Sequence, residues 1–136
     1  MIYLLDSNAC IQHLNQRSTS VSRQLAKIPP RDIAVCSVVK AELFHGAMKS
    51  QNPANTLAKQ NAFLNQFISL PFDDRAAEVY GQVKANLERL GQPIGPNDFL
   101  IAAIALANNL TLVTHNSTEF SRVLGLRLQD WEVATS

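Results

Sequence analysis

Apolar and polar positions along the chain alternate between strand-like runs and helical spacing. Ile2–Leu5 is a short apolar run closed by Asp6-Ser7-Asn8, the pattern of a buried strand leading into a helix that starts near Ser7 or Asn8. Ser18–Ile28 has helical spacing and is stopped by Pro29-Pro30. Ile33–Cys36 predicts a second buried strand, with Ser37 placed to cap a helix that runs on to about Lys49. Asn52-Pro53 opens another helix, reaching roughly to Gln66, and Phe67–Leu70 predicts a third strand ended by Pro71. Asp73 or Asp74 caps a long amphipathic helix bearing Ala77, Val79, Tyr80, Val83, Leu87 and Leu90, with Gly91 as its C-terminal stop. A helix from Pro96-Asn97 continues through Phe99–Ala107, which is apolar on all sides and therefore belongs in the core. Thr111–Thr114 predicts a fourth strand, and Leu126–Leu128 a fifth at an edge, just before Trp131.

Strands alternating with helices predict an α/β fold with a parallel sheet of four to five strands, covered on both faces. At 136 residues the chain is long enough for one domain, spanning residues 1–136, with a self-sufficient core. In such sheets the functional crevice lies beyond the C-terminal ends of the strands, and that rule picks out particular acids.

Asp6 ends the first strand, where it serves equally well as a helix N-cap. On a helix starting near Ser37, Val39, Glu42, Leu43 and Gly46 share one face, so Glu42 is an acid within an apolar stripe. A buried carboxylate needs a cation, a proton or hydrogen-bond donors; a place at the edge of the stripe would instead let Glu42 reach solvent. Asp98 lies in the first turn of the apolar helix, favourable for the helix dipole, but its face-mates Ile101, Ala102 and Ala105 turn it toward the core side. The fourth strand ends at Thr114-His115-Asn116, and Glu119 three residues on also fits a capping-box-like start. Acids from remote segments that meet at one end of a sheet repel one another unless a cation holds them. An all-oxygen set without a His or Cys cluster suits Mg²⁺ or Mn²⁺ rather than Zn²⁺, and the common task of these ions is phosphoryl chemistry.

Composition narrows the partners. Twelve Lys+Arg face eleven Asp+Glu, so binding to nucleic acid or membrane through bulk charge is disfavoured. Setting aside Asp6, Glu42 and Asp98 leaves twelve bases against eight acids, a mildly basic exterior. Arg17, Arg23, Lys27 and Arg31 form a loose run, and Lys40, Lys49 and Arg75 are scattered. They read as solvated helix faces, from which a few phosphate contacts near a metal would suffice for RNA. Cys10 and Cys36 read as reduced, buried thiols of a cytoplasmic protein. His13, His45 and His115 share no ligand spacing, and His115, beside Asn116, is the one best placed to touch substrate. Phe44 and Phe63 read as packing residues. The N-terminus lacks a basic segment, so no signal peptide is expected, and the longest apolar run, Phe99–Ala107, is too short to span a membrane.

YLLDSN at Tyr3–Asn8, VVKAELFHG at Val38–Gly46, IGPNDFLIAA at Ile94–Ala103 and VTHNSTEF at Val113–Phe120, in this order and spacing, resemble a PIN-domain ribonuclease of the VapC toxin type. LRLQDW at Leu126–Trp131 resembles the C-terminal end of many such toxins. The resemblance implies a PIN-like three-layer α/β/α sandwich and a Mg²⁺- or Mn²⁺-dependent endoribonuclease. Such an enzyme would be the toxin of a type II toxin–antitoxin (VapBC) system, cutting structured RNA such as tRNA or rRNA to inhibit translation. It further implies a VapB-type antitoxin whose tail occupies the active-site groove, a homodimer, and the cytoplasm of a bacterium or archaeon. The family's acids map onto Asp6, Glu42 and Asp98, and its more variable fourth position onto Asn116, where many members have Asp. Asp6, Glu42, Asp98 and Asn116 are thus the expected catalytic set. Asp6 and Asp98 would be the principal metal ligands, with Glu42 ligating through water or orienting the attacking group. Ser7 and Thr114 would support them, and Glu119 could supply the carboxylate that Asn116 lacks. Hydrolysis would leave a 5′-phosphate and a 3′-hydroxyl. The competing readings are a catalytically inert PIN-fold interaction module and a metal-dependent DNA nuclease. An aspartyl phosphatase is disfavoured because Asn8 stands where its second acid would be.

Overall fold

The computed structural model describes residues 1–133; the last three residues of the predicted 1–136 domain lie outside the described residues. Strands β1 (Tyr3–Leu5), β2 (Ile33–Cys36), β3 (Ile68–Leu70), β4 (Thr111–Val113) and β5 (Leu128–Gln129) form one sheet in the order β3-β2-β1-β4-β5. Every pairing is parallel, with Leu4 opposite Ala34 on one side and Leu112 on the other. β2 is buried throughout and β1 and β4 are buried after their first residues, as the apolar runs require.

The helices are α1 (Ser7–Leu14), α2 (Thr19–Lys27), α3 (Ser37–Met48), α4 (Pro53–Leu64), α5 (Asp74–Arg89), α6 (Pro96–Ala107) and α7 (Ser117–Phe120), with a 3₁₀ turn at Pro30–Asp32. Right-handed crossovers from β1 to β2 to β3 put α1–α4 on one face of the sheet. The return from β3 across to β4 puts α5 and α6 on the other. The result is the expected sandwich of helices, parallel sheet and helices. Helix α6 is its apolar centrepiece: Phe99, Ile101–Ala105 and Ala107 are all buried.

Most boundaries fall inside the predicted ones. Ser18, Asn52 and Asp73 cap their helices as expected, each accepting a backbone N–H three residues on. Three details differ. Ser37 is the first helical residue rather than the cap, and its hydroxyl donates to the Leu70 carbonyl of β3. Residues 126 and 127 lie outside β5, which is shifted to Leu128–Gln129 by its register against Leu112 and Val113. At α7 the capping box does not close. The Asn116 N–H donates to the Thr114 hydroxyl at 2.9 Å instead, and the Asn116 side-chain amide turns to the Glu119 carboxylate at 3.1 Å.

The sheet order places β1 between β2, reached by a crossover to one side, and β4, reached by a crossover to the other. The C-terminal ends of β1 and β4 therefore flank the switch point at which an open α/β sheet leaves a crevice. Asp6 follows β1 and Thr114 follows β4.

Candidate active site

Asp6, Ser7, Asn8, Glu42, Asp98, Ile101, Asn116 and Phe120 line one pocket of about 180 Å³ at this switch point. Four elements remote in sequence deliver them: the β1–α1 turn, α3, the start of α6 and the β4–α7 turn. Both roles expected for Asp6 coincide. Its carboxylate accepts the Ala9 N–H at 2.8 Å as the N-cap of α1, yet it faces the pocket and is 6% exposed. Burial pushes its pKa up from 3.8 to about 6. Hydrogen bonds from Thr114 and Ala9 act the other way, and the charges of Glu132 and Glu42 add to the rise.

Asp98 behaves similarly for a partly different reason. Burial again raises it to about 6, followed by its contact with the Glu119 carboxyl and then by Glu42 and Asp6. It sits where α6 begins, and a Cβ on Gly95 would come within 3.1 Å of its Oδ2, so the glycine leaves room for the carboxyl. Glu42 is held by the Ser7 hydroxyl, which donates to its Oε1 at 2.8 Å, leaving Oε2 without a contact from Ser7. The stripe-edge alternative is thus half right: Glu42 is half-buried and lines the pocket.

Glu119 is closer to the centre than its expected supporting place, because it meets Asp98 directly. Asn116 is exposed, and its amide is engaged in orienting Glu119. Thr114 is buried and bonds both Asp6 and the Asn116 backbone.

Two residues escaped sequence reasoning. Asp130 accepts from His115 Nδ1 at 2.8 Å, and Glu132 lies 3.6 Å from the same nitrogen while accepting the Asn8 side-chain amide at 2.9 Å. Its hydrogen bond to Asp130 raises the His115 pKa and engages Nδ1, while the side chain stays exposed. Among the described residues, His115, Asp130 and Glu132 bring donor atoms within 4.8 Å of one another, a proximity that no histidine spacing announces. Trp131 between the two acids was the available signal: it is buried against Tyr3 of β1, which folds the C-terminal segment back over the end of the first strand.

No Lys or Arg is among the residues lining the 180 Å³ pocket, and its polar lining atoms are carboxylate, hydroxyl and amide groups. A buried acid, Asp6, and a half-buried one, Asp98, both raised to about 6 by loss of solvent and by neighbouring carboxylates, fit a hard divalent cation with the oxygen donors around them. Asp6 and Asp98 would hold it, with Glu42 within the same pocket.

The chain has counterparts of similar sequence and fold. A PIN-domain family model matches residues 3–126. Ribonuclease VapC2 of Rickettsia felis is 38% identical over 97% of this chain and 99% of its own length. The tRNA(fMet)-specific endonuclease VapC of Shigella flexneri is 40% identical over 95% and 97%. Among solved structures, DNA-bound VapBC from Salmonella typhimurium superposes with a TM-score of 0.91 at 34% identity, covering 96% of this chain and 98% of that one.

Proposed function

The chain belongs to the PIN-domain family and, within it, to the VapC ribonucleases, and from that premise we propose that it cuts RNA at the Asp6–Glu42–Asp98 pocket with a bound Mg²⁺ or Mn²⁺. The observation that carries this reading is the convergence of three carboxylates, Asp6, Glu42 and Asp98, from three remote segments on a pocket lined by no Lys or Arg. When bound, the ion supplies an activated water and neutralises charge on the phosphodiester.

The protein groups divide the remaining work. Asp6 and Asp98 would hold the ion in their ionised forms. Ser7 holds Glu42 through its Oε1, and Glu42, lining the same pocket, would orient the attacking water. Glu119, oriented by the Asn116 amide, lies against Asp98 and helps to raise its pKa, a repulsion that a bound cation would relieve. The products are a 5′-phosphate and a 3′-hydroxyl. Buried Phe120 and Ile101 wall the pocket against bulk water.

The relatives suggest the biology: a toxin acting on structured RNA, tRNA(fMet) by analogy with the Shigella flexneri enzyme, restrained by a VapB-type antitoxin and working as a cytoplasmic homodimer. No helix among the described residues is long and apolar enough to cross a membrane. The test is cleavage of tRNA(fMet) and of an RNA hairpin with Mg²⁺, with EDTA, and by Asp6→Asn and Asp98→Asn proteins. Cutting should require the ion and be lost in both variants; undiminished cutting by either variant overturns the assignment.

A further inference from the structure

A second cleft, of about 490 Å³, adjoins the acid pocket and shares Glu42 with it. Ile11 and Leu14 of α1 and Leu43 of α3 give it an apolar floor, while Arg17 and Lys59 stand exposed at its edge. Gln60 of α4 also lines it and is 8% exposed. Its Nε2 donates to the Leu43 carbonyl at 2.9 Å, whereas its Oε1 is buried with no hydrogen-bond partner among the described residues. The amide cannot be turned over to relieve this, because its oxygen would then oppose the Leu43 carbonyl. Gln60 therefore places in the cleft wall an amide whose oxygen lacks a donor and is closed to solvent, so that a small turn of the side chain toward the cleft would expose the acceptor.

We propose that this cleft is a nucleotide subsite beside the scissile phosphate, in which a base carrying an exocyclic amino group donates to Gln60 Oε1 and Arg17 and Lys59 hold the neighbouring phosphates. The proposal rests on the ribonuclease reading above and says which RNA that site prefers. Continuity through Glu42 is the first argument, since a strand whose phosphate lies at the acids must leave along an adjoining groove. Charge is the second: two cations face one acid, and that acid belongs to the reacting centre. The third is the floor, where an unstacked base lies flat on Ile11, Leu14 and Leu43 with its polar edge toward the helix α4 side. Cytosine presents its N4 amino group as a donor, whereas uracil presents the O4 oxygen at the same position and sets lone pair against lone pair.

The test is fluorescence anisotropy with labelled hexacytidylate and hexauridylate in EDTA, using the whole chain. The wild-type protein should bind the cytidine hexamer roughly 2- to 12-fold more tightly, the range of one net hydrogen bond. Gln60→Met should abolish that preference while leaving uridylate affinity unchanged. A hexamer of N4,N4-dimethylcytidine, which has no amino hydrogen, should bind the wild-type protein like hexauridylate, and this arm needs no protein variant. Arg17→Ala/Lys59→Ala, at exposed positions, should weaken both hexamers equally and reduce the slope of log affinity against log salt by about 1.4. Equal binding of the cytidine and uridine hexamers, or a preference that survives in Gln60→Met or with dimethylcytidine, overturns the subsite and leaves the cleft to a polypeptide partner. Hairpin cleavage is scored separately. Cutting without cytidine preference overturns the subsite alone, and cytidine preference without cutting overturns the ribonuclease reading alone.

Discussion

Replacing Asp6 by Asn should abolish cleavage and, in the absence of metal, make the protein more stable. The carboxyl is 6% exposed and its pKa rises from 3.8 to about 6 on folding, chiefly through burial. A native pKa above the unfolded one means that the folded chain binds the proton more tightly. The ionised group therefore costs nothing below about pH 3.8, progressively more between 3.8 and 6, and its full amount above 6. That difference corresponds to about 3 kcal/mol at neutral pH. Asn keeps the N-cap to the Ala9 N–H, and its amide meets the carboxylates of Glu42 and Glu132 favourably. With an unfolding entropy of about 2.1 cal/mol/K per residue over 136 residues, each kcal/mol is worth roughly 3–4 °C. Differential scanning calorimetry in EDTA at pH 7.5 should show Asp6→Asn melting roughly 5–10 °C above the wild type, with the gap closing at pH 4. Excess Mg²⁺ should reverse the order, because an ion at 100 times its Kd stabilises only the protein that binds it, by about 2.7 kcal/mol. An Asp6→Asn protein that melts at or below the wild type in EDTA at pH 7.5, or a gap that persists at pH 4, would refute the claim that the site stores carboxylate repulsion for a cation.

Other outcomes follow from the same geometry. With Mg²⁺ limiting, cleavage should fall below about pH 6 with a log-rate slope approaching 2, since Asp6 and Asp98 both protonate there, and more Mg²⁺ should move the midpoint to lower pH; a flat rate from pH 5 to 8 contradicts this. Asn116→Asp adds a carboxylate beside Glu119 and should tighten Mn²⁺ binding in a calorimetric titration while lowering the metal-free melting temperature. Ile104→Ala, at a fully buried position in α6, should cost about 2–5 kcal/mol in urea unfolding without altering metal affinity. Cys10 and Cys36 are buried, and burial raises both thiol pKa values, so a thiol reagent should label neither in the native protein and both in denaturant.

Pattern alone determined much of this molecule, because the dominant forces are local or periodic. Apolar runs of strand length, proline and capping stops, and the all-round apolar Phe99–Ala107 segment are written in contiguous residues, so the strand–helix alternation and the parallel sheet followed from them. The boundary errors are those where a distant partner chose the outcome. β5 is registered by β4, and Ser37 donates to β3 instead of capping its own helix. The acids Asp6, Glu42 and Asp98 were legible for the same reason as the strands: each breaks an apolar pattern at a strand end or on a helix face. What sequence could not settle was the company they keep. Asp98 meets Glu119, Ser7 reaches Glu42 across 35 residues, and Asn8 reaches Glu132 across 124. The cleft around Gln60 was equally invisible. A glutamine in an unremarkable helix becomes an unsatisfied acceptor only when α3 packs over it and claims its amide. Burial and proximity set the pKa of a carboxyl and the demand of an amide for a partner, and both arise from packing between segments that share no local pattern.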